Sequence, residues 1–448
     1  LPPVKNQFAS SSTMPASPLL TRRQLLTRGT QALAASAFLS AATHAHAQGS
    51  GKIKIALVGC GGRGSGACRQ ALNAGSDIEL VAIVDVDKDK PAKIRTLLKD
   101  QLPEQINVPD EHLFNGFEDY KKAIALADVV LLATPPGFRP LHFEEAVRQG
   151  KHAFMEKPVA TDAHGVQRVL AAAEEARKKK LNVCVGLQRR YQPSYMDTIR
   201  RIQDGAIGDV SFMRVFWNGQ ARAGVERNPD ESELHYQIRN WYFYTWLSGD
   251  HILEQHVHNL DVAHWVMNAM PIKAQGLGGR QVRRSKQTGQ IFDHHFVEFE
   301  YANGARVFSQ CHQMAGKCFR SISEHAHGTK GVAEMVDKQR FLIGGQSVGD
   351  RKRAQSEDGH QLEHYAFFEN IRKGEPRNDA EYGAKSTLMG IMGRMATYTG
   401  QVITYEQALN SKELLVPDTI TSFDSMPLLK PDADGVYPSA IPGVTLPV

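Results

Sequence analysis

Lys157, Glu254 and His258 are the side chains of this chain whose types and setting suit proton transfer. Lys157 stands in Glu156-Lys157-Pro158, directly after the short apolar run His152 to Met155. An ammonium at a strand end can donate a hydrogen bond or a proton to a reacting oxygen. Glu254 and His258 are four residues apart, so on a helix they share one face. The carboxylate can then orient the imidazole, which takes a hydroxyl proton near neutral pH. His251 falls on the same stripe, and His251, Glu254 and His258 form a possible ligand set for Zn²⁺ or Mn²⁺. His256 points to the other face and reads as a core or interface histidine. Trp241, Tyr242, Tyr244 and Trp246 lie just ahead of this segment. Their rings suit the apolar faces of sugars, and Arg239 suits a hydroxyl or carboxylate; packing under a loop is the competing reading.

A second group of residues suits a dinucleotide. Ile53 to Val58 is an apolar run followed at once by Gly59-Cys60-Gly61-Gly62-Arg63-Gly64 and a helix-like stretch. A further apolar run, Leu80 to Val84, ends in Asp85, 21 residues past Gly64. This is the spacing of a βαβ unit that places a pyrophosphate on a helix N-terminus. Glycine is needed where the backbone turns tightly and approaches the phosphates. Asp85 would accept hydrogen bonds from the adenosine ribose and repel a 2′-phosphate, which favours NAD over NADP. The competing reading is a plain tight turn whose acid caps a strand end.

These residues need a sheet to hold them, and the flanking pattern predicts one. Strand and helix patterns alternate to about residue 190. Asp128 to Pro135 is a strand ending in Thr134-Pro135-Pro136-Gly137, Leu141 to Gly150 a helix, Thr161 to Lys180 a long helix and Asn182 to Leu187 a strand. Repeated βα units imply a parallel sheet covered on both faces. After about residue 208 the texture changes. Val210 to Trp217 is strand-like, and residues 219–236 read as a long loop. Phe292 to Tyr301 and Ala305 to His312 alternate about the hairpin turn Asn303-Gly304. Gln361 to Lys373 and Tyr382 to Thr399 read as helices. The expected fold is α/β: a dinucleotide-binding Rossmann domain over 48–185, then an α+β domain with an antiparallel sheet over 186–413. Residues 414–448, rich in proline, form an extended tail.

The chain has 448 residues and a formal net charge of +5. Lys5, Arg22, Arg23 and Arg28 precede residue 48 with no acid to offset them. The remainder is close to neutral, so no basic footprint for nucleic acid exists. Residues 1–47 read as an export signal. Thr21-Arg22-Arg23-Gln24-Leu25-Leu26 resembles a twin-arginine motif, Ala32 to Ala42 is apolar, and Ala45-His46-Ala47 offers a cleavage site. The apolar stretch is too short to span a membrane. Met14 is the candidate initiator. The twin-arginine machinery carries folded proteins, which suits a protein that loads a nucleotide before reaching the periplasm. Cys60, Cys68, Cys184, Cys311 and Cys318 show no CxxC spacing. The first three read as packed thiols, and Cys311–Cys318 is a possible disulfide.

Pro135, His142, Gly150-Lys151-His152 and Glu156-Lys157-Pro158 together resemble the Gfo/Idh/MocA oxidoreductases. Gly186-Leu187-Gln188-Arg189-Arg190-Tyr191 resembles the family's next signature, usually closer to Y-N-R-R-F. Glu254, His258 and Asp261 match its D-x-x-x-H-x-x-D, with glutamate in place of aspartate. Phe367, Ile371, Lys373 and Gly374 match its late helix. The resemblance implies a large, open, mostly antiparallel sheet in the second domain, and pairing of sheet faces into dimers or tetramers. It implies that Thr134, Pro135, His142, Glu156, Lys157 and Gln188 line the cofactor pocket. Lys157 would contact substrate beside the nicotinamide, with Arg190 near the same pocket. Family dehydrogenases generally need no metal, so none is expected.

The resulting expectation is an exported NAD(P)-dependent oxidoreductase. It would act on a ring carbon of a sugar or sugar derivative, with a cofactor that stays bound. Two other readings are an NAD-dependent glycosidase working by transient oxidation and elimination, and a non-catalytic sugar- or nucleotide-binding protein. The GxGxRG form of the glycine turn occurs in the glycosidases, which lack the Glu-Lys-Pro triplet.

Overall fold

Six short strands supply the first sheet: β1 (Ile53–Val58), β2 (Ile78–Asp85), β3 (Leu113–Asn115), β4 (Val129–Leu132), β5 (His152–Met155) and β6 (Val183–Val185). These come from a computed structural model, which describes residues 51–337, 340–416 and 419–446. The export signal expected at 1–47, with Arg22, Arg23 and Met14, lies outside the described residues. All elements fall in the compact unit Ile53–Val448.

The strand order is β3-β2-β1-β4-β5-β6, and every pair is parallel. The connecting helices are α1 (Gly62–Leu72), α2 (Lys90–Gln101), α3 (Tyr120–Ala125), α4 (Arg139–Arg148) and α5 (Ala163–Lys178). Along β1, Ile55 and Leu57 pack into one core and Ala56 and Val58 into another. A strand buried on both faces must be apolar throughout, which is why its sequence runs without alternation. The order reverses at β1, between β2 and β4, and opens a crevice at the carboxyl ends of the strands.

The second half contains α6 (Pro193–Gln203), β7 (Val210–Gly219), α7 (Glu233–Arg239), α8 (Thr245–Ser248), α9 (His251–Glu254) and α10 (Val257–Met267). Then follow β8 (Lys273–Gly279), β9 (His294–Glu300), β10 (Arg306–Gln313), β11 (Ser321–Gly328), β12 (Gly331–Val336), β13 (Arg340–Ile343) and β14 (Gln346–Ser347). Last come α11 (Arg351–Ser356), α12 (Gly359–Lys373), α13 (Ala380–Thr399), β15 (Ile403–Thr404) and α14 (Tyr405–Leu409). The nine strands are ordered β14-β13-β12-β11-β7-β10-β9-β8-β15. Among the described residues, β7 and β10 run parallel and the other pairs of this sheet are antiparallel. Val297 and Phe299 of β9 are buried in one core with Ile391 and Met392 of α13. On the opposite face, Leu277 and Phe296 are 70 % and 48 % exposed. The Asn303-Gly304 turn joins β9 to β10 as expected, with Gly304 at φ +85°.

Two expectations are corrected. The helix read through His251 and His258 is broken: α9 stops at Glu254 and α10 begins at Val257. Buried anchors on either side turn the chain between them. Asp250 accepts from the Phe292 amide at 2.9 Å, and His256 Nε2 meets Ser309 Oγ at 2.8 Å. Cys311 and Cys318 form no disulfide, because Cys311 points into the core while Cys318 sits exposed on a loop. Among the described residues no helix is long and apolar enough to cross a membrane. The described residues of 414–446 carry no helix or strand, yet Ile420 and Tyr437 are buried.

Candidate active site

The glycine turn follows β1 and opens α1. Gly59 has φ +99°, and a Cβ there would stand 2.7 Å from the Thr134 amide. A Cβ on Gly64 would overlap the Gly59 carbonyl oxygen. These two glycines are therefore required by the turn and by helix–strand packing. Gly61 and Gly62 differ: a Cβ at either meets nothing within 4 Å. Gly61 caps α1 with no side-chain hydrogen bond. That end leaves first-turn N–H groups and a positive dipole end for an anion, with space a side chain would otherwise fill. A pyrophosphate fits this cradle. Asp85, at the end of β2, accepts from the Cys60 amide at 2.7 Å and from the Asp87 amide at 2.9 Å. The acid thus ties the turn to the neighbouring strand.

Arg63 and Glu156 were both expected at the cofactor. Their side chains pair with each other, and Arg63 also donates to Gln70 at 2.8 Å. Burial alone would raise the Glu156 pKa, but the Arg63 guanidinium holds it below the usual carboxylate range. Gly186 makes room for this carboxylate, since a Cβ there would lie 2.8 Å from Glu156 Oε2. The glycine turn is thereby linked to the residue preceding Lys157. Gln188 is buried nearby, close enough to Gly359 that a Cβ on that glycine would lie 3.0 Å from Gln188 Cγ.

On the β4 side, Thr134 Oγ1 lies 3.1 Å from His142 Nδ1, and Pro135 begins the turn into α4. His142 packs on Tyr120, with ring centroids 4.3 Å apart. Burial, with Arg139 adding to it, pushes the imidazole pKa down to about 3. It is a neutral brace for Thr134. Arg139 was missed in the sequence. Its buried guanidinium donates to the carbonyls of Thr134 and Pro158. It therefore fixes the β4 loop and the loop carrying Lys157 together. An arginine inside an otherwise apolar helix start was the available signal.

Lys157 projects from the loop after β5. Its Nζ lies 3.1 Å from Glu254 Oε1 and also donates to the Glu254 carbonyl. Both side chains are 11 % exposed. Glu254 accepts a second bond from Gln255 Nε2 at 2.5 Å. The Glu254 carboxylate is thus committed to Lys157 across the crevice, a partner the sequence reading did not assign. His258, four residues on, is the second residue of α10. It stacks against Trp217 of β7, centroids 5.7 Å apart and planes 23° from parallel. Trp217 was also missed, because strand and helix meet only in the tertiary fold.

The metal set read from the sequence is not the cluster that assembles. Among the described residues, Asp250, His251 and His295 bring potential ligand atoms within 4.8 Å of one another. Asp250 Oδ1 lies 2.8 Å from His251 Nδ1, and Oδ2 accepts from Tyr398 at 2.6 Å. Burial opposes its charge, yet His295 and the hydrogen bond from His251 hold the Asp250 carboxyl well below its ordinary range. The cluster anchors the start of α9, where Asp250 takes φ +75°.

Four of the expected substrate residues, Arg190, Arg239, Trp241 and Tyr244, make their contacts within the fold. Arg190 forms a bidentate pair with Asp261 at 2.8–3.0 Å and lies 4.0 Å over the Tyr382 ring. Ser386 donates to the same carboxylate at 2.8 Å. Arg239 grips Glu231 through two 2.7 Å bonds and braces the loop before α7. Tyr244 is fully buried, 5.0 Å from Tyr437 of the C-terminal tail. Trp241 is partly buried and packs edge-on against Tyr242. Packing, the competing reading for these aromatics, describes them.

A parallel sheet with a glycine-rich first turn and a lysine after its fifth strand, joined to a domain whose glutamate meets that lysine, defines a two-domain dinucleotide-dependent class. Residues 53–185 match the oxidoreductase family with NAD-binding Rossmann fold, and residues 195–334 match the GFO/IDH/MocA C-terminal domain. The chain belongs to the GFO/IDH/MocA oxidoreductase family.

It is 28 % identical over 254 residues to inositol 2-dehydrogenase 3 of Saccharopolyspora erythraea, covering 56 % of this chain and 63 % of that one. It is 27 % identical over 294 residues to an inositol 2-dehydrogenase of Ralstonia nicotianae, covering 64 % and 74 %. The chain spans less than two thirds of the length of several such curated relatives. Scyllo-inositol dehydrogenase from Lactobacillus casei, with bound NAD(H) and scyllo-inositol, superposes with a TM-score of 0.61 at 19 % identity, over 79 % of this chain and 99 % of that one. Aldose-aldose oxidoreductase from Caulobacter crescentus gives 0.60 at 18 % identity, over 79 % and 99 %. These two likenesses concern the fold.

Proposed function

We propose that this protein is an NAD-dependent dehydrogenase acting on a secondary hydroxyl of a sugar or sugar-like ring. The observation that carries this reading is the Lys157–Glu254 pair at the carboxyl edge of the sheet that bears the glycine turn, with His258 four residues further along the chain. Gly61, Gly62 and the α1 N-terminus would hold the pyrophosphate, and Asp85 the adenosine ribose. When bound, NAD supplies the electron acceptor. Lys157 donates a hydrogen bond to the substrate oxygen. His258, held flat against Trp217, takes the hydroxyl proton as the carbonyl forms. Glu254 fixes the ammonium in place. The curated relatives act on inositols by name, which supports a polyhydroxylated ring as substrate.

Asp85 favours NAD over NADP through charge repulsion. Denaturing the purified protein and weighing the released nucleotide tests this, followed by a sugar and cyclitol panel read at the nicotinamide absorbance. Release of a sugar from an aryl glycoside with no net NADH signal would assign the oxidative glycosidase chemistry instead. Full turnover in Lys157→Ala would remove the lysine from the mechanism. We further propose export through the twin-arginine route, on the strength of Arg22-Arg23 and Ala45-His46-Ala47. Replacing both arginines with lysine should retain the protein in the cytoplasm. The exposed Leu277 and Phe296 on the outer sheet face support pairing of two copies there. Light scattering of Phe296→Glu tests it.

A further inference from the structure

The rim of the crevice on the adenosine side is apolar, and the C-terminal tail covers it. Val86 directly follows Asp85, Phe117 lies just past β3, and Phe138 lies in the turn after β4. All three stand beyond the carboxyl ends of β2, β3 and β4, where this sheet type places its ligand. They pack in one cluster with Trp246 and with Ile420 and Phe423 of the tail. Phe423 meets Phe117 edge-on, with centroids 5.0 Å apart, and Phe138 meets Trp246 at 5.9 Å.

The tail is tied down along this path. Ser232 Oγ donates to the Phe423 carbonyl at 3.1 Å, and Gln237 Nε2 to the Leu429 carbonyl at 2.7 Å. Tyr437 donates to Glu233 at 2.6 Å. Before the crossing, the Leu415 amide donates to Asp162 Oδ2 at 2.8 Å, at the head of α5. After it, the Gly443 amide donates to the Thr399 carbonyl at 2.8 Å. The chain is thus pinned to the first domain, crosses the rim and returns to the second.

We propose that residues 419–446 form a strap that walls the adenosine half of the cofactor crevice and sets how long NAD stays bound. This rests on the NAD reading above. For the dinucleotide to leave, Phe423 must come off Phe117 and the strap must lift from α7. The strap contains few regular hydrogen bonds, so it can open without unfolding the sheets.

The test uses the full-length chain and NADH as the probe. The bound fluorescence is chased with excess NAD, and the decay gives the release rate. Phe423→Ala should release NADH about tenfold faster than wild type or more, with association changed much less. Should Phe423→Ala fail to fold, Phe423→Leu, which removes the ring contact with Phe117 and keeps an apolar side chain on the strap, carries the same expectation. A folded variant releasing NADH within about twofold of wild type overturns the strap. Wild-type protein that binds no NADH overturns the cofactor reading itself, and the strap with it.

Discussion

Lys157 Nζ lies 3.1 Å from Glu254 Oε1, so a nearly buried ion pair crosses from the first domain to the second at the crevice. The ammonium cannot swing away, since it also donates to the Glu254 backbone carbonyl. Lys157→Met should lower kcat by a factor of about 10² to 10⁴, the usual worth of a positioned acid or base. NADH binding should survive, because the glycine turn is untouched. Steady-state kinetics beside NADH titration separates the two effects; wild-type turnover would exclude a catalytic lysine.

The four glycines of the turn divide into two kinds. Gly61→Val places its Cβ where nothing lies within 4 Å. It should fold normally and lose NADH affinity by about tenfold or more, equivalent to 1.4 kcal/mol. Gly64→Ala drives a methyl into the Gly59 carbonyl. It should lose about 1–3 kcal/mol of stability through overpacking. Urea unfolding and NADH titration of both variants check the contrast, and equal stability losses would refute it.

Arg190 is tied into the fold by its bidentate pair with Asp261. Removing its guanidinium leaves Asp261, which is 1 % exposed, as an uncompensated buried charge. Arg190→Met should cost about 3–5 kcal/mol. Substrate KM in the surviving folded fraction should change little. A large rise in KM at unchanged stability would restore the binding role.

Acid should unfold this protein through its buried and half-buried histidines. Burial, its largest cause in each case, lowers His142 to about 3 and His251 and His264 to about 4. Below the ordinary value of about 6.5 the unfolded chain binds these protons and the folded chain does not. Their contribution is complete above about pH 6.5 and is lost as pH falls toward 4. Each histidine adds a slope of about 1.4 kcal/mol per pH unit in that window. Melting temperature should therefore fall from pH 6.5 to pH 4, and less steeply in His142→Asn. A flat profile would contradict the buried neutral state.

What could be read from the chain alone was local. Alternation of apolar runs with helical stripes identifies the βα units, because each strand is buried on both faces. The glycine turn, its acid at 85 and the Asn303-Gly304 hairpin follow from backbone sterics that act within a few residues. Lys157 was legible through its immediate neighbours.

Partnership was not legible, because it is set by residues distant in sequence. Glu254 faces Lys157, 97 positions away, and not only its own helical neighbours. Arg190 is consumed by Asp261, and Tyr244 is sealed under Tyr437 of the tail. The break after Glu254 arises from anchors on β9, β10 and α13 that no helical pattern encodes. A charged or aromatic side chain shows its chemistry in its type, but whether that chemistry is offered to a ligand or spent on the fold depends on desolvation and distance. Only the folded packing decides those.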